Sequence, residues 1–308
     1  MSILIDEETK VIVQGITGSM AQTDVELNLK QGVQIVAGVT PGKGGTEVFG
    51  VPVFNTMKEA LEEVEANTSV IYVPPFGAKN ALIEAVECGM ELVLVFTENI
   101  PQHDFIYCLN LAQRKGVRIV GPNSNGIISP GKSRLGGLGG DTPEKMFIPG
   151  KVGILSRSGG MGGEIAWMLR NKEIGISTCV SVGGDRIIGT PFKELLALFQ
   201  QDEETEVVVI FGEVGGGYEE EAADFIANGG IDKPVVAFIA GKFIDQMPEG
   251  VSFGHSGALI EGGTGSASQK IEALRRAGVI VADRIGEVPE LVGEALQRKG
   301  VPSGDQNK

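Results

Sequence analysis

Two consecutive α/β units, each a parallel sheet with helices on both faces, are predicted by three observations. Short apolar runs alternate with longer amphipathic segments from residue 10 onward. The alternation breaks once, in a polar, glycine-rich stretch that ends near Gly150, and then resumes. Glycine supplies 46 of the 308 residues, the number of tight turns and close backbone approaches such a fold demands. A chain of this length buries roughly three quarters of its unfolded surface and usually divides into two domains.

In the first half, the runs at 10–14, 34–38, 69–73, 91–96 and 117–120 have strand length, and 57–65, 78–88 and 104–115 have helical spacing. Strand, helix, strand repetition is the parallel crossover unit, so residues 1–149 read as a Rossmann-like domain. The stretch from Ser129 to Gly150 carries too many breakers for a buried element and reads as the connection, with the boundary near Gly150. Beyond it, strands are expected at 152–155, 177–182, 206–211, 234–239 and 279–281. Helices are expected at 160–170, 191–200, 219–227, 266–277 and 288–299. Residues 150–308 therefore read as a flavodoxin-like doubly wound domain, with a long loop before residue 266 that has no period and holds His255.

Forty acidic against 26 basic residues leave a net charge of −14, which repels nucleic acid backbones and anionic membrane surfaces. Nucleic acid and membrane are excluded as partners on that ground. Cys88, Cys108 and Cys179 are widely spaced, odd in number and set in apolar segments, so they read as core residues of a reducing compartment. With no basic-then-apolar leader and no run of about 18 apolar residues, the expected location is the cytoplasm.

The chemistry-bearing segments all follow strands. Gly15-Ile16-Thr17-Gly18-Ser19-Met20-Ala21 lets backbone amides turn toward an anion. The dinucleotide spacing of three glycines is absent, and the second strand runs into Thr40-Pro41-Gly42-Lys43-Gly44, a lysine where an NAD enzyme needs a carboxylate. The same segment lacks the P-loop spacing. A phosphate-rich ligand other than NAD fits, and no ATP motif or metal-ligand cluster is expected on this chain. In the second half, Ser156-Arg157-Ser158-Gly159-Gly160 opens a helix whose free amides suit phosphate or carboxylate. Gly183-Gly184-Asp185-Arg186 and Gly212-Glu213 end the next strands, and Gly254-His255-Ser256-Gly257-Ala258 follows the fourth onto the same rim. His255 is one of only two histidines, and a lone loop imidazole on the same rim as anion-binding amides is a candidate chemical group.

Taken together and in order, Gly15 to Ser19, Val39 to Gly45, Gly121-Pro122-Asn123, Ser156 to Gly159, Gly212-Glu213 and Gly254 to Ala258 resemble one superfamily. It is that of the α subunit of succinyl-CoA synthetase and the matching part of ATP-citrate lyase. The resemblance implies that coenzyme A binds the first domain, with Thr17, Gly18, Ser19, Met20 and Lys43 facing its phosphates and Thr97, Glu98 and Asn99 near its thiol. It makes His255 a phosphohistidine, Glu213 the carboxylate that orients it, and Glu98 a general base or electrostatic partner. Ser158, Gly159 and Gly160 would steady the phosphoryl group. A larger β subunit with an ATP-grasp domain would bring ATP and Mg2+. On the residues alone, a non-enzymatic CoA-binding protein with an inert His255 is the competing class.

Departures bear on the acid. Succinate enzymes of the superfamily have Thr-Leu-Thr-Tyr where this chain has Gly160-Met161-Gly162-Gly163, and proline where it has Arg186. They also have Cys-Pro in place of Ser124-Asn125. Loss of the larger side chains opens volume and Arg186 adds charge, so a tricarboxylate is expected and the pattern resembles the citrate-using members. The reading is the small subunit of a citrate–CoA ligase (citryl-CoA synthetase), with succinate as the alternative acid and malate not favoured. No lyase region is expected on this chain.

Overall fold

The computed structural model describes residues 2–247, 254–260 and 265–299, and these form two seven-stranded sheets flanked by helices. The first contains β1 (Lys10–Gln14), β2 (Gln34–Val39), β3 (Glu47–Val48), β4 (Val51–Phe54), β5 (Thr68–Ile71), β6 (Leu92–Val95) and β7 (Arg118–Val120). Their order is β3-β4-β2-β1-β5-β6-β7, parallel except between β3 and β4. Every residue of β5 and β6 is buried, which is why β6 reads as an unbroken apolar run and β5, with Thr68 and Ser69 buried as well, does not alternate. Helices α1 (Ser19–Lys30), α2 (Met57–Glu63), α3 (Pro75–Glu87) and α4 (Gln102–Lys115) flank the sheet.

The second sheet contains β8 (Gly126–Ser129), β9 (Ser133–Gly136), β10 (Pro149–Ser156), β11 (Ile176–Ser181), β12 (Val207–Gly212), β13 (Val235–Ile239) and β14 (Ile280–Val281). Its order is β14-β13-β12-β10-β11-β8-β9, with the last two strands antiparallel. Around it lie α5 (Gly159–Arg170), α6 (Phe192–Gln201), α7 (Tyr218–Ala227), α8 (Ala267–Arg276) and α9 (Val288–Lys299). The two mostly parallel α/β units match the Rossmann-like and flavodoxin-like layout expected.

Three features depart from the sequence reading. Helix α1 falls where only an anion loop was expected, because its buried face is Ala21, Asp24, Val25 and Asn28, half of it polar, so no apolar stripe announces it. The two-residue β3 and the short β4, broken by Gly50 and Pro52, lack the length to show a period. The stretch from Ser129 to Gly150 was expected to hold no buried element, yet β9 within it is almost wholly buried and pairs with β8, which in turn pairs with β11. The chain thus passes from one sheet to the other between Val120 and Gly126, upstream of the expected break near Gly150.

That crossing welds the two units. Helix α1 lies on β9, where the Asn28 amide donates to the Gly136 carbonyl at 3.2 Å. The Tyr72 hydroxyl donates to Asp24 at 2.7 Å, and Arg134 of β9, 2% exposed, is charge-paired with that carboxylate through space. Burial pushes the Asp24 carboxyl and the Tyr72 phenol above their usual ranges. No described helix is long and apolar enough to cross a membrane. Cys108 and Cys179 are buried and Cys88 half-buried, all three as free thiols, and burial pushes Cys108 up to about 11.

The strand register positions the site. Ser156 at the end of β10 pairs with Ser181 of β11 and Phe211 of β12, and Gly212 pairs with Ile239 of β13. Parallel strands in step deliver the residues that follow them to one carboxyl edge.

Candidate active site

His255 meets Glu213 at that edge. Its Nδ1 lies 2.8 Å and 3.0 Å from the two carboxylate oxygens of Glu213, the residue immediately after β12. The Glu213 side chain is 12% exposed and that of His255 31%, so the pair is shielded while the ring keeps a face to solvent. The hydrogen bond to Glu213 raises the His255 pKa above 6.5, burial and Arg157 oppose the rise, and Asp185 adds to it. With Nδ1 held by a carboxylate, the proton belongs on Nδ1 and the lone pair on Nε2.

The loop around the ring is fitted by two glycines. A Cβ on Gly184 would lie 2.4 Å from the imidazole Cγ, and one on Gly257 would lie 2.5 Å from Arg157 Nη2. The Gly257 amide donates to the Gly184 carbonyl at 3.0 Å, which clamps the histidine loop to the turn after β11. Phe253 and the loop residues 248–253 and 261–264, expected as part of the same irregular segment, lie outside the described residues.

Two buried charges brace the dyad. Arg157, directly after β10, sends Nε to Glu213 at 3.3 Å and Nη2 to the Asp185 carbonyl at 3.1 Å, and lies 5.5 Å from the Tyr218 ring centroid. Asp185 accepts from Asn123 and from the Ser256 hydroxyl, each at 3.2 Å, so it joins the inter-sheet crossing to the histidine loop. Sequence reasoning placed Arg157 and Asp185 inside motifs but gave neither a task. The signal available was position alone, since each is the first charged residue beyond a strand of the same rim.

The segment expected as an anion cradle opens α5. Ser158 caps α5, its hydroxyl accepting from the Met161 amide at 3.5 Å, and Gly159 and Gly160 form the first turn. Gly159 is packed, since a Cβ there would fall 2.2 Å from Asn125, whereas Gly160 and Gly163 have nothing nearer than 3.9 Å. Arg186 is exposed and its carbonyl accepts from the Tyr218 hydroxyl at 3.2 Å. It lines a cavity of about 250 Å³ together with Asn99, Phe105, Asp185 and Ser256, so the cavity spans both sheets.

On the first sheet, Gly18 caps α1 without a side-chain bond, and Gly18, Ser19 and Met20 are exposed while Thr17 is half-buried. The N-terminal amides of a 12-residue helix are open to an anion there. Lys43 is exposed on a loop pinned by Asn55, whose Oδ1 accepts from the Gly42 and Gly44 amides at 2.9 Å and 3.0 Å. Thr97 is buried and spends its hydroxyl on the Val73 carbonyl at 2.7 Å, so it braces the edge; Glu98 and Asn99 beside it are exposed. Glu98 makes no hydrogen bond or ion pair among the described residues, and the residues that reach toward the histidine loop are its neighbours Asn99 and Ile100. No cluster of metal ligands occurs among the described residues.

Residues 6–99 match the CoA binding domain family and residues 155–280 match the CoA-ligase family, whose span contains the whole rim from Leu155 to His255. Over 296 residues, 96% of this chain and 100% of the relative, it is 50% identical to the succinate–CoA ligase [ADP-forming] subunit alpha 2 of Archaeoglobus fulgidus. The chain belongs to the CoA-ligase α-subunit family. It is 45% identical to the malate–CoA ligase subunit alpha of Methylorubrum extorquens, covering 97% of this chain and 99% of that one. Its fold matches ATP citrate lyase of Methanothrix soehngenii, solved with citrate and coenzyme A, at a TM-score of 0.87 and 27% identity. That match covers 99% of this chain and 53% of the lyase chain, so this chain spans about half the length of the lyase. This CoA-ligase α subunit is therefore one component of an ADP-forming acid–thiol ligase that works with a β partner.

Proposed function

We propose that this subunit carries a phosphoryl group on His255 and, with its β partner, activates citrate as citryl phosphate for transfer to coenzyme A. The observation that carries the reading is the Nδ1 contact of His255 with the Glu213 carboxylate at 2.8 Å on the anion-binding rim. It leaves Nε2 as the nucleophile. Nε2 attacks the γ-phosphorus of ATP held by an ATP-grasp domain with Mg2+ on the partner. The P–N bond forms as the bond to the leaving ADP oxygen breaks. The proton stays on Nδ1, where Glu213 offsets the charge that develops on the ring. The open amides of Gly159 and Gly160, on the helix that Ser158 caps, hold the phosphoryl oxygens. A citrate carboxylate oxygen then takes the phosphorus, the N–P electron pair returns to the ring, and His255 is again neutral. Coenzyme A enters along Thr17 to Met20 and Lys43, with Thr97 to Asn99 guiding its thiol end; the thiol loses its proton, its sulfur bonds to the acyl carbon, and phosphate leaves. Glu98 is the proposed base that takes the thiol proton, or else an electrostatic partner for that step while solvent takes it.

Citrate is supported by exposed Gly160, where a Cβ would meet nothing nearer than 4.0 Å, and by Arg186 on the cavity wall. Succinate is the second reading, supported by the name of the 50% identical relative. Incubation with the β subunit and γ-labelled ATP is expected to place acid-labile label on the wild-type chain and none on His255→Ala; label on the variant defeats the phosphohistidine. CoA-thioester formation is expected to be faster with citrate than with succinate, and the reverse order rejects citrate. Arg186→Ala is expected to impair citrate use more than His255 phosphorylation; equal losses reject a carboxylate partner.

A further inference from the structure

Arg157 is an uncommon object, a guanidinium 3% exposed at the floor of the site. Its three edges are differently engaged. Nε faces Glu213 Oε1 at 3.3 Å, Nη2 donates to the Asp185 carbonyl at 3.1 Å, and buried Nη1 has no hydrogen-bond partner among the described residues. The flat face looks onto Tyr218, whose hydroxyl is itself fixed between the Ile188 amide and the Arg186 carbonyl, each at 3.2 Å. Gly257 lies directly against Nη2, so the histidine loop rests on the guanidinium. Glu213 Oε1 is therefore shared, contacting Arg157 Nε on one side and His255 Nδ1 at 3.0 Å on the other.

We propose that Arg157 is a positioning residue for phosphoryl transfer, dividing the Glu213 carboxylate with His255 so that the imidazole is held as the Nδ1–H tautomer with Nε2 bare for phosphorus. A buried carboxylate facing an imidazole alone would do two things at once. It would orient the ring and also pull a second proton onto it, and an imidazolium cannot attack phosphorus. Arg157 separates these effects. Its charge satisfies part of Glu213 and repels the second proton, while its fork, with Nε on Glu213 and Nη2 on the Asp185 carbonyl, ties the carboxylate to the turn after β11. The charged groups facing the ring are Glu213 from β12, Arg157 from β10 and Asp185 from the turn after β11, two acids against one base. Asp185 is occupied by Asn123 and Ser256, which leaves Arg157 as the counterweight to Glu213.

The proposal rests on the His255–Glu213 dyad being the reactive pair, and its test does not need turnover. With only two histidines in the chain, 15N-histidine NMR of the full-length subunit resolves the His255 titration and tautomer, with His255→Ala for assignment. Arg157→Gln is expected to raise the affinity of His255 for its second proton by about tenfold, from Coulomb's law at an effective dielectric near 20 with solvent screening. The pH midpoint of His255 phosphorylation by the β subunit and ATP should move up with it. Arg157→Lys keeps the charge but loses the fork, so the titration should stay within about threefold of wild type while the Nε2–H tautomer becomes populated. A folded Arg157→Gln with an unchanged titration overturns the proposal. Should that variant fail to fold, Arg157→Lys with wild-type tautomer and wild-type phosphorylation rate overturns it. Absence of any label on wild-type His255 would instead overturn the phosphohistidine reading, whatever the NMR shows.

Discussion

Gly184→Ala is the sharpest probe of how the ring is held, because the perturbation is a single methyl group with a defined place to go. The added Cβ would lie 2.4 Å, 2.6 Å and 2.7 Å from Cγ, Cδ2 and Nδ1 of His255. Carbon contacts become favourable only near 3.5 Å, so the ring must retreat by about 1 Å. The turn cannot make the move instead, because the Gly257 amide bonds to the Gly184 carbonyl and ties loop to turn. Retreat carries Nδ1 from 2.8 Å to nearly 4 Å from Glu213, beyond hydrogen-bond reach. A misplacement of that size lowers phosphoryl transfer by about 100-fold. Stability should suffer little, since a half-exposed imidazole can swing: the loss falls at the low end of about 1–3 kcal/mol, a fall of a few degrees in Tm. The assay pairs His255 labelling by γ-labelled ATP and the β subunit with a thermal melt of the subunit alone. Labelling at the wild-type rate would refute the reasoning, and so would a melt so lowered that the loss of labelling follows from unfolding.

Four further outcomes are expected. Glu213→Gln removes the main cause of the raised His255 pKa, so the acid limb of the phosphorylation profile should shift to lower pH while the plateau falls at least tenfold; an unmoved limb would break the link. The same pair stabilises the fold below pH 6.5, where histidine is charged folded or unfolded, and the contribution is lost as pH rises through the raised folded value, so wild type should outmelt Glu213→Gln at pH 5.5 and the gap should close by pH 8.5. At the junction of the sheets, Tyr72→Phe should destabilise by about 1–3 kcal/mol by stripping the buried Asp24 of its 2.7 Å donor, whereas Arg134→Met, which sacrifices no hydrogen bond among the described residues, should lose less; urea melts that rank them the other way reject this account. Lys270→Met should be severe, about 3–5 kcal/mol, because it abandons the buried Glu219 that Lys270 contacts, and adding Glu219→Gln should restore most of the loss in the same melts.

The parts of the fold that were legible in the sequence are those whose burial is decided by their own residues. β6, β10 and β12 are buried along most of their length and announce themselves as apolar runs. Helix α6, with Phe192, Leu195, Leu196 and Phe199 on one face, shows its period without help. Helix α1 and the β8–β9 hairpin were hidden because their burial is decided by each other. Asp24 and Asn28 are tolerable in a buried face only because Tyr72, Arg134 and the Gly136 carbonyl answer them from up to 110 residues away. No local period encodes such a match, so the stretch from Ser129 to Gly150, which holds β9, read as a linker.

The site divides along a similar line, with glycine as the clearest case. The runs Gly159-Gly160, Gly162-Gly163, Gly183-Gly184 and Gly254 to Gly257 look alike in sequence and all read as turn or anion chemistry. Their surroundings separate them into two kinds. Gly159, Gly184 and Gly257 are small because Asn125, the His255 ring and Arg157 occupy the space a side chain would need. A Cβ on exposed Gly160 or on buried Gly163 would come no nearer than 3.9 Å to another side chain, so packing does not require glycine there. The first kind explains why His255, Glu213 and Arg157 keep their geometry, and substitution there should damage phosphorylation with every acid. Of the second kind, Gly160 is exposed on the rim, and substitution there should change which acid is used while His255 still takes its phosphoryl group. Gly160→Thr is therefore expected to preserve His255 labelling and to lower the citrate-to-succinate ratio of thioester formation; an unchanged ratio with full labelling would take these glycines out of the argument for citrate.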